Sequence, residues 1–471
     1  MAEATVGLDI GTSSVKAVAA DGDGAVVARA RVPHPLTLDR RRLAHDNTDR
    51  AWRADVVRAL DEVGADHTVR AVQVAAMVPS LGAFDRDGHG LTPGLLYGDS
   101  RGGATPGASP NDSGELQGSG GGARRRHPAR HGFWPAQAAA NHALCGEAVI
   151  DFVTAMTALP VFDMTEWDAE VASEAGASVE QLPRVEHGPG PIGRRRGVPV
   201  GAGTIDAFAE QLVAGADQDG DVLVICGSTL ITWAVIPEWR EAAGLWTVPH
   251  TAPGKMLIGG PSNAGGLFLD WVTRLLAPAS DDIEPEPDAV PVWCPYPRGE
   301  RTPLHDADRR AGLHDADIRM GAAGLRRAAH EAQGFVVRHH LDLAEVEARR
   351  IVATGGGVRS RGCVLQALAD ATRLPVDPVA VPEGAALGAA FLARVAAGLE
   401  PDASGASRWA SHRSRIEPDE RWVDVTEARY RRFRQLAGPT RTLTAASRPA
   451  TASCDRSGLP AGAGRHEGDR E

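Results

Sequence analysis

The sequence predicts an α/β protein built from two related domains that face one cleft. Three observations carry that reading: a strand–turn–strand at residues 5–24, a second at 221–235, and a glycine-rich strand-to-helix loop at 350–357. Each brings an apolar run to a turn rich in glycine and hydroxyl residues or in glycine alone. Such a backbone can wrap an anion.

The first hairpin is the most informative stretch. Val6, Gly7 and Leu8 lead into Asp9, Gly11 to Ser14 form a tight turn, and Val15 to Ala20 return as a second apolar run. Asp21-Gly22-Asp23-Gly24 supplies the next turn. Successive N–H groups in the first turn make a phosphate cradle, to which Thr12, Ser13 and Ser14 add hydroxyl donors. Lys16 adds a point charge suited to phosphate, and with Lys255 it is one of only two lysines in the chain. Asp9 is placed to hold Mg²⁺ directly or through water. A plain hairpin with polar turn residues would show the same pattern, so the turn alone leaves both readings open.

Residues 51–63 have helical spacing through Trp52, Val56, Val57 and Leu60, and 69–81 follow as a buried strand and loop. Residues 221–235 repeat the hairpin with Gly227, Ser228 and Thr229 at its turn. An amphipathic helix is expected over 265–276 and a longer one over 324–343. The strand at 350–357 ends in a triple-glycine turn, with a helix starting near Arg361, and helices follow at 363–372 and 384–397. A composition shift at 237–255 suggests a domain boundary, giving domains 1–245 and 246–439. Two segments fit neither: 102–131 and 440–471 are polar and rich in small residues, so both are expected to be disordered.

The whole chain narrows the function classes. Its 471 residues allow two or three domains, and 43% hydrophobic with 24% charged residues is ordinary for a globular protein. A net charge of −11 argues against nucleic-acid or acidic-membrane partners, which need a basic face. Five dispersed cysteines without CxxC spacing point to reduced thiols in the cytoplasm. The first apolar run is short and interrupted by Asp9, so no signal segment is read there.

Asp206 is the candidate for catalysis. It lies where a glycine-rich loop hands over to an alanine-rich helix in VGAGTIDAFAE, residues 200–210. A hydroxyl is a poor nucleophile, and a carboxylate there can take its proton during attack on a γ-phosphoryl group. A helix N-cap is the competing role for Asp206. TGGGVRS, residues 354–360, brings backbone close to a nucleotide and aims a helix N-terminus at it, or serves as a tight connection. Asp99 and Arg101 could hold a polyol or form a surface ion pair. Glu300-Arg301-Thr302-Pro303 follows Tyr296 in a loop where its charges read as structural. The histidines, including the His339-His340 pair, show no metal spacing and read as solvated.

Taken together these motifs resemble the FGGY carbohydrate kinases of the actin-like ATPase superfamily. The matching pieces are DIGTSSVKAV at 9–18, GDSR at 98–101, GTIDAFAEQLVAGADQDGDV at 203–222 and CGSTLITW at 226–233. GGPSNAGGLFLDW at 259–271, PRGERTPLHD at 297–306, GLRRAAHEAQGFVVR at 324–338, ATGGGVRSRGCVLQALAD at 353–370 and EGAALGAAFLA at 383–393 continue it in the family's order. Members similar to xylulose kinase match better than those similar to glycerol kinase.

The resemblance implies two ribonuclease-H-like domains closing over ATP–Mg²⁺ and a sugar or polyol. Carried over by position, Thr12, Ser13, Ser14 and Lys16 meet the ATP phosphates and Asp9 serves the metal. Ser228, Gly266, Gly356 and Gly357 line the nucleotide site, and Asp206 is the base. The sugar side falls on Met77 and Val78 within Ala76-Met77-Val78-Pro79, with Asp99 and Asp206. That loop has neither the Gln-Met-His of xylulose kinases nor the Arg-Glu of glycerol kinases. Family members place partly apolar structure over 102–131, where this chain reads like shifted-frame text. The expectation is an ATP-dependent kinase for a ketopentose similar to xylulose, or a catalytically impaired sugar- and nucleotide-binding member of the same fold. An actin-like ATPase acting on protein partners would lack the segments after 259. No nucleic-acid or membrane partner is expected, and a homodimer stays open.

Overall fold

The computed structural model describes residues 2–38, 42–97, 99, 131–250, 254–276, 284–357 and 362–438. Most of the 102–131 stretch, all of 440–471, and Gly98, Ser100 and Arg101 of the GDSR motif lie outside them.

Two sheets carry the molecule, and they share one plan. In the first, Glu3–Ile10 pairs antiparallel with Ser14–Ala20, which pairs antiparallel with Val26–Pro33. On its other side Glu3–Ile10 runs parallel to Thr68–Ala76, which is followed by Val198–Gly201 and Pro191–Arg195. In the second, Asp221–Cys226 pairs antiparallel with Leu230–Ile236, and that strand with Met256–Ser262. Its other side runs parallel to Arg350–Thr354 and then Val376–Pro378. A three-strand meander extended by parallel strands is thus built twice.

Burial explains the strand sequences. Asp221–Cys226 is covered on both faces and reads as a continuous apolar run after its first residue. Val26–Pro33 lies at the edge and alternates exposed with covered positions over most of its length. The expected helices are present as Gly266–Leu275, Ala322–Ala344, Gly362–Thr372 and Gly384–Ala396. Residues 51–63 are helical as expected, entered through a π-helical turn at Asp49–Ala54. Helical bonding after the glycine loop begins at Gly356 and Gly357, earlier than the expected start near Arg361.

Two expectations need correction. A boundary at 245/246 would cut the second sheet, because strands 221–236 pair with 256–262 and 350–354. The chain instead passes from one sheet to the other between Ile205 and Asp221. Nor does the late chain stay with the second sheet. Gly384–Ala396 lies on the first, where a Cβ at Gly7 would fall 1.8 Å from the Ala386 carbonyl oxygen. The composition shift at 237–255 marks only a loop between strands of one sheet. His339 and His340 are also not solvated, each being 1% exposed. They lie inside Ala322–Ala344, whose buried positions occupy several faces. Among the described residues no helix is long and apolar enough to cross a membrane.

Candidate active site

The parallel register places the catalytic candidates together. Asp9 and Thr204 both lie beside Ala75, and Ile205 lies beside Ala76. Asp206 therefore emerges at the same sheet edge as the Gly11 turn, two strand spacings or roughly 10 Å away. Ile205, not Asp206, occupies the cap position of helix Asp206–Ala214 and offers no side-chain bond. Asp206 is the first helical residue, half-buried, with its Oδ1 accepting the Ala207 N–H at 2.7 Å. Asp206 is therefore not the cap residue, although its carboxylate takes one free N–H of the first turn.

A buried network holds that strand from behind. Thr204 Oγ1 donates to Asp151 at 2.9 Å, and Gln137 Nε2 donates to the Ala202 carbonyl at 2.9 Å. Thr154 Oγ1 in turn donates to Gln137 Oε1 at 2.6 Å.

Charge concentrates at this edge. Lys16 Nζ is 2.8 Å from Asp9 Oδ2, and Asp9 is 4% exposed. Asp9 raises the Lys16 pKa, so the ammonium is firmly charged. The Asp206 carboxyl is pushed up to about 7, first by burial and then by the nearby negative charge of Asp9 and Glu210. Glu210, one turn along the helix, is also raised by burial and accepts a hydrogen bond from Thr354 Oγ1. Thr354 precedes Gly355, so the helix carrying Asp206 is tied to the third glycine turn. Sequence reasoning missed Glu210, although its four-residue spacing from Asp206 puts both on one helix face.

The first turn shows why it suits an anion. His34 Nε2 donates to the Gly11 carbonyl at 3.0 Å, and the His34 N–H donates to the Ser13 carbonyl at 3.1 Å. His45 Nε2 donates to the Thr12 carbonyl at 2.8 Å. With three carbonyls tied back, the Thr12 and Ser13 N–H groups have no protein acceptor among the described residues. That is a cradle for negative charge. Ser13 is exposed at the tip, and Thr12 Oγ1 lies 3.2 Å from the Tyr97 hydroxyl. Ser14 begins the return strand, is 2% exposed, and accepts a bond from Arg31 Nε at 3.2 Å. Its hydroxyl is occupied from the protein side.

His45 also accepts the Trp52 indole N–H at Nδ1, 2.8 Å away, which fixes a neutral ring protonated at Nε2. Burial pushes its pKa down to about 4. Its neutral form stabilises the fold fully above pH ~6.5, and that stability is lost as pH falls through about 4. His45→Ala strands a carbonyl and an indole N–H, so it should cost about 1–3 kcal/mol and weaken nucleotide binding. Thermal melts and nucleotide titration of that variant check both effects. The reading of the histidines as solvated was wrong here too. A histidine seven positions before a tryptophan carries no local signal of this contact.

The second-sheet turns interlock. The Gly266 N–H donates to the Gly227 carbonyl at 2.8 Å and the Leu267 N–H to the Ser228 carbonyl at 3.1 Å. Gly266 is thus committed to the turn's framework, while Ser228 is exposed and its N–H, like that of Ser13, has no protein acceptor among the described residues. Gly355 has φ +93°, and a Cβ there would lie 2.8 Å from the Cys226 carbonyl oxygen. Gly357 approaches Cys226 as well, and Gly356 is exposed with open space around it.

On the substrate side, the Met77 N–H donates to the Ile10 carbonyl at 3.2 Å, and Met77 is 3% exposed. Val78 is half-buried and packs against the apolar cluster that includes Ile205 and Phe208, the residues flanking Asp206-Ala207 in the chain. Asp99 accepts the Leu43 N–H at 3.3 Å and lies half-buried. The structure therefore brings Asp9, Lys16, Asp206, Met77 and Val78 to one edge, and Ser228, Gly266, Gly356 and Gly357 to the facing turns.

Two sheets of this shared plan, with glycine turns at matching strand ends, define the actin-like ATPase class of fold. Comparison with known proteins then gives the family. Residues 4–105 match the FGGY family of carbohydrate kinases, N-terminal domain, and residues 222–397 match its C-terminal domain. The chain belongs to the FGGY family of carbohydrate kinases, enzymes that transfer a phosphoryl group to an alcohol. It is 24% identical over 418 residues to a gluconokinase of Bacillus subtilis, covering 75% of this chain and 80% of that protein. It is 25% identical over 469 residues to a xylulose kinase of Klebsiella pneumoniae, covering 89% and 95%. A gluconate kinase structure from Lactobacillus acidophilus superposes with TM-score 0.81 at 18% identity, covering 93% of this chain and 98% of that one. A xylulose kinase structure from the same organism gives 0.80 at 19%, covering 92% and 97%.

Proposed function

We propose that this chain transfers the γ-phosphoryl group of ATP to a sugar or polyol hydroxyl, with Asp206 as general base. A ketopentose similar to xylulose is the favoured acceptor. The observation that carries the reading is the strand register that brings Asp206 to the strand ends holding the Asp9–Lys16 pair, in surroundings that raise its carboxyl to about 7. Such a group is a carboxylate over much of its population at neutral pH, yet basic enough to take a hydroxyl proton.

In the proposed step the acceptor oxygen forms a bond to the γ-phosphorus while the bond to the β–γ bridging oxygen breaks. ADP leaves with that electron pair, and the hydroxyl proton passes to Asp206. Lys16 and the Thr12 and Ser13 N–H groups take up charge on the phosphates, with Ser13, Ser228, Gly356 and Gly357 lining the nucleotide. Asp9 would hold Mg²⁺. A single carboxylate suits an ion that takes its other ligands from phosphates and water. Among the described residues no three His, Cys, Asp or Glu side chains form an all-protein cage. When bound, the ion would neutralise phosphate charge. Free cysteines and the need for ATP fit a cytoplasmic location.

A coupled ADP-release screen over ketoses, aldoses, polyols and aldonates tests the reading. The expected result is sugar-dependent ADP release, greatest with a ketopentose. Sugar binding by calorimetry with no ADP release for any acceptor would instead establish a binding protein.

A further inference from the structure

The loop after Tyr296 holds the least explained charge in the molecule. Arg301 carries two buried side-chain nitrogens, Nε and Nη2, with no hydrogen-bond partner among the described residues. An unpaired buried cation is costly, and proteins keep such groups where a ligand completes them.

Its backbone is fixed on both sides. The Arg301 N–H donates to Glu300 Oε1 at 2.6 Å, and its carbonyl accepts the His305 N–H at 2.6 Å. Glu300, 3% exposed, also accepts bonds from Ser262 Oγ at 2.8 Å and the Asn263 N–H at 3.0 Å. Thr302 Oγ1 donates to the Pro261 carbonyl at 2.7 Å. Arg301 is therefore anchored to the segment that runs into the Gly265–Gly266 turn.

The Tyr97 phenol of the other domain contributes to the electrostatic surroundings of Arg301, and its hydroxyl lies 3.2 Å from Thr12 Oγ1 of the first turn. Glu300 accounts for part of the charge balance, but its carboxylate bonds go to Ser262, Asn263 and the Arg301 backbone, not to the guanidinium. A planar guanidinium on a backbone held from both sides is suited to bidentate contact with an oxyanion.

We propose that Arg301 is an oxyanion-binding residue, contributed by the second-sheet domain to the site around Thr12. The oxyanion is either the phosphoryl group in transfer or the carboxylate of an acidic sugar. Only this choice of anion rests on the kinase reading. Binding of inorganic phosphate does not.

The test compares the full-length chain with Arg301→Met and Arg301→Gln by thermal melting, with and without inorganic phosphate. The wild-type midpoint should rise with phosphate, and the rise should be clearly smaller in both variants, with the Thr12 turn and Lys16 supplying the remainder. Without phosphate the variants should melt no lower than wild type, because an unpaired charge has been removed. A phosphate shift undiminished in both variants, or a lower midpoint for both without phosphate, overturns the proposal and makes the guanidinium structural. If Arg301→Met does not fold, Arg301→Gln decides alone, since it keeps a polar chain.

Affinity for a non-hydrolysable ATP analogue and for gluconate then separates the two sources. Loss of at least ~10-fold in the analogue's affinity assigns the phosphoryl group, and the same loss confined to gluconate assigns the sugar carboxylate. No change in either affinity overturns the proposal, even if turnover is absent from both proteins. A wild-type chain that binds phosphate through Arg301 yet phosphorylates no sugar would sink the kinase reading alone.

Discussion

Asp206→Asn should lower kcat by at least ~10²-fold with little change in ATP affinity, because the amide keeps the shape and loses the base. The wild-type kcat/KM should climb with pH and level off above about 7, where the carboxylate dominates. The variant should lose that acid limb.

Stability moves the other way. A carboxyl raised from 3.8 to about 7 favours the fold most at low pH, below its unfolded value. That contribution drains away as pH rises through about 7. The asparagine variant should therefore melt above wild type at pH 8 and gain less at pH 5. Near-normal turnover together with an unchanged pH profile would remove Asp206 from the mechanism.

Gly388→Ala should impair both turnover and stability without touching a ligand. A Cβ at 388 would lie 1.8 Å from the Ala209 carbonyl oxygen and 2.5 Å from its carbonyl carbon. Ordinary contact needs about 3.5 Å, so helices Asp206–Ala214 and Gly384–Ala396 must part by about 1.5 Å. Backbone, not a flexible side chain, has to move. Overpacking of this kind costs about 1–3 kcal/mol. A base displaced by about 1 Å can lose ~10²-fold in rate. The expected outcome is a lower thermal midpoint and a kcat reduced by at least ~10-fold. Gly190→Ala, where a Cβ meets nothing within 4 Å, serves as the control and should change neither. A Gly388→Ala enzyme that melts and turns over like wild type would show that this contact does not set the position of Asp206.

The strands and turns around the first hairpin were legible because their signals are local. Val6 to Asp9, the Gly11 turn and Val15 to Ala20 state their own conformation, as do 221–235 and the helices at 266–275 and 362–372. The two-sheet plan followed from the repetition of that unit. The domain boundary did not, because composition reports solvent exposure of a loop and not which sheet a strand joins. Segments 221–236 and 256–262 flank the shift at 237–255, yet they are neighbours in one sheet.

The residues that shape the site were harder to read. His34 and His45 hold the turn's carbonyls from segments 20 to 30 positions away or more, and their ring state depends on burial and Trp52. Arg301 looked like an ordinary loop charge, since nothing near it in sequence reveals two dry, unpartnered nitrogens.

By itself the sequence determined the turn chemistry, the Asp206 candidate and the α/β class, because short-range hydrogen bonding and apolar spacing are properties of neighbouring residues. Only the tertiary structure decided which sheet carries the 384–396 helix, how Asp206 acquires its raised pKa, and that Arg301 buries two nitrogens with no partner among the described residues. Each depends on desolvation and on charges brought close by long-range packing, and neither quantity is written in local sequence.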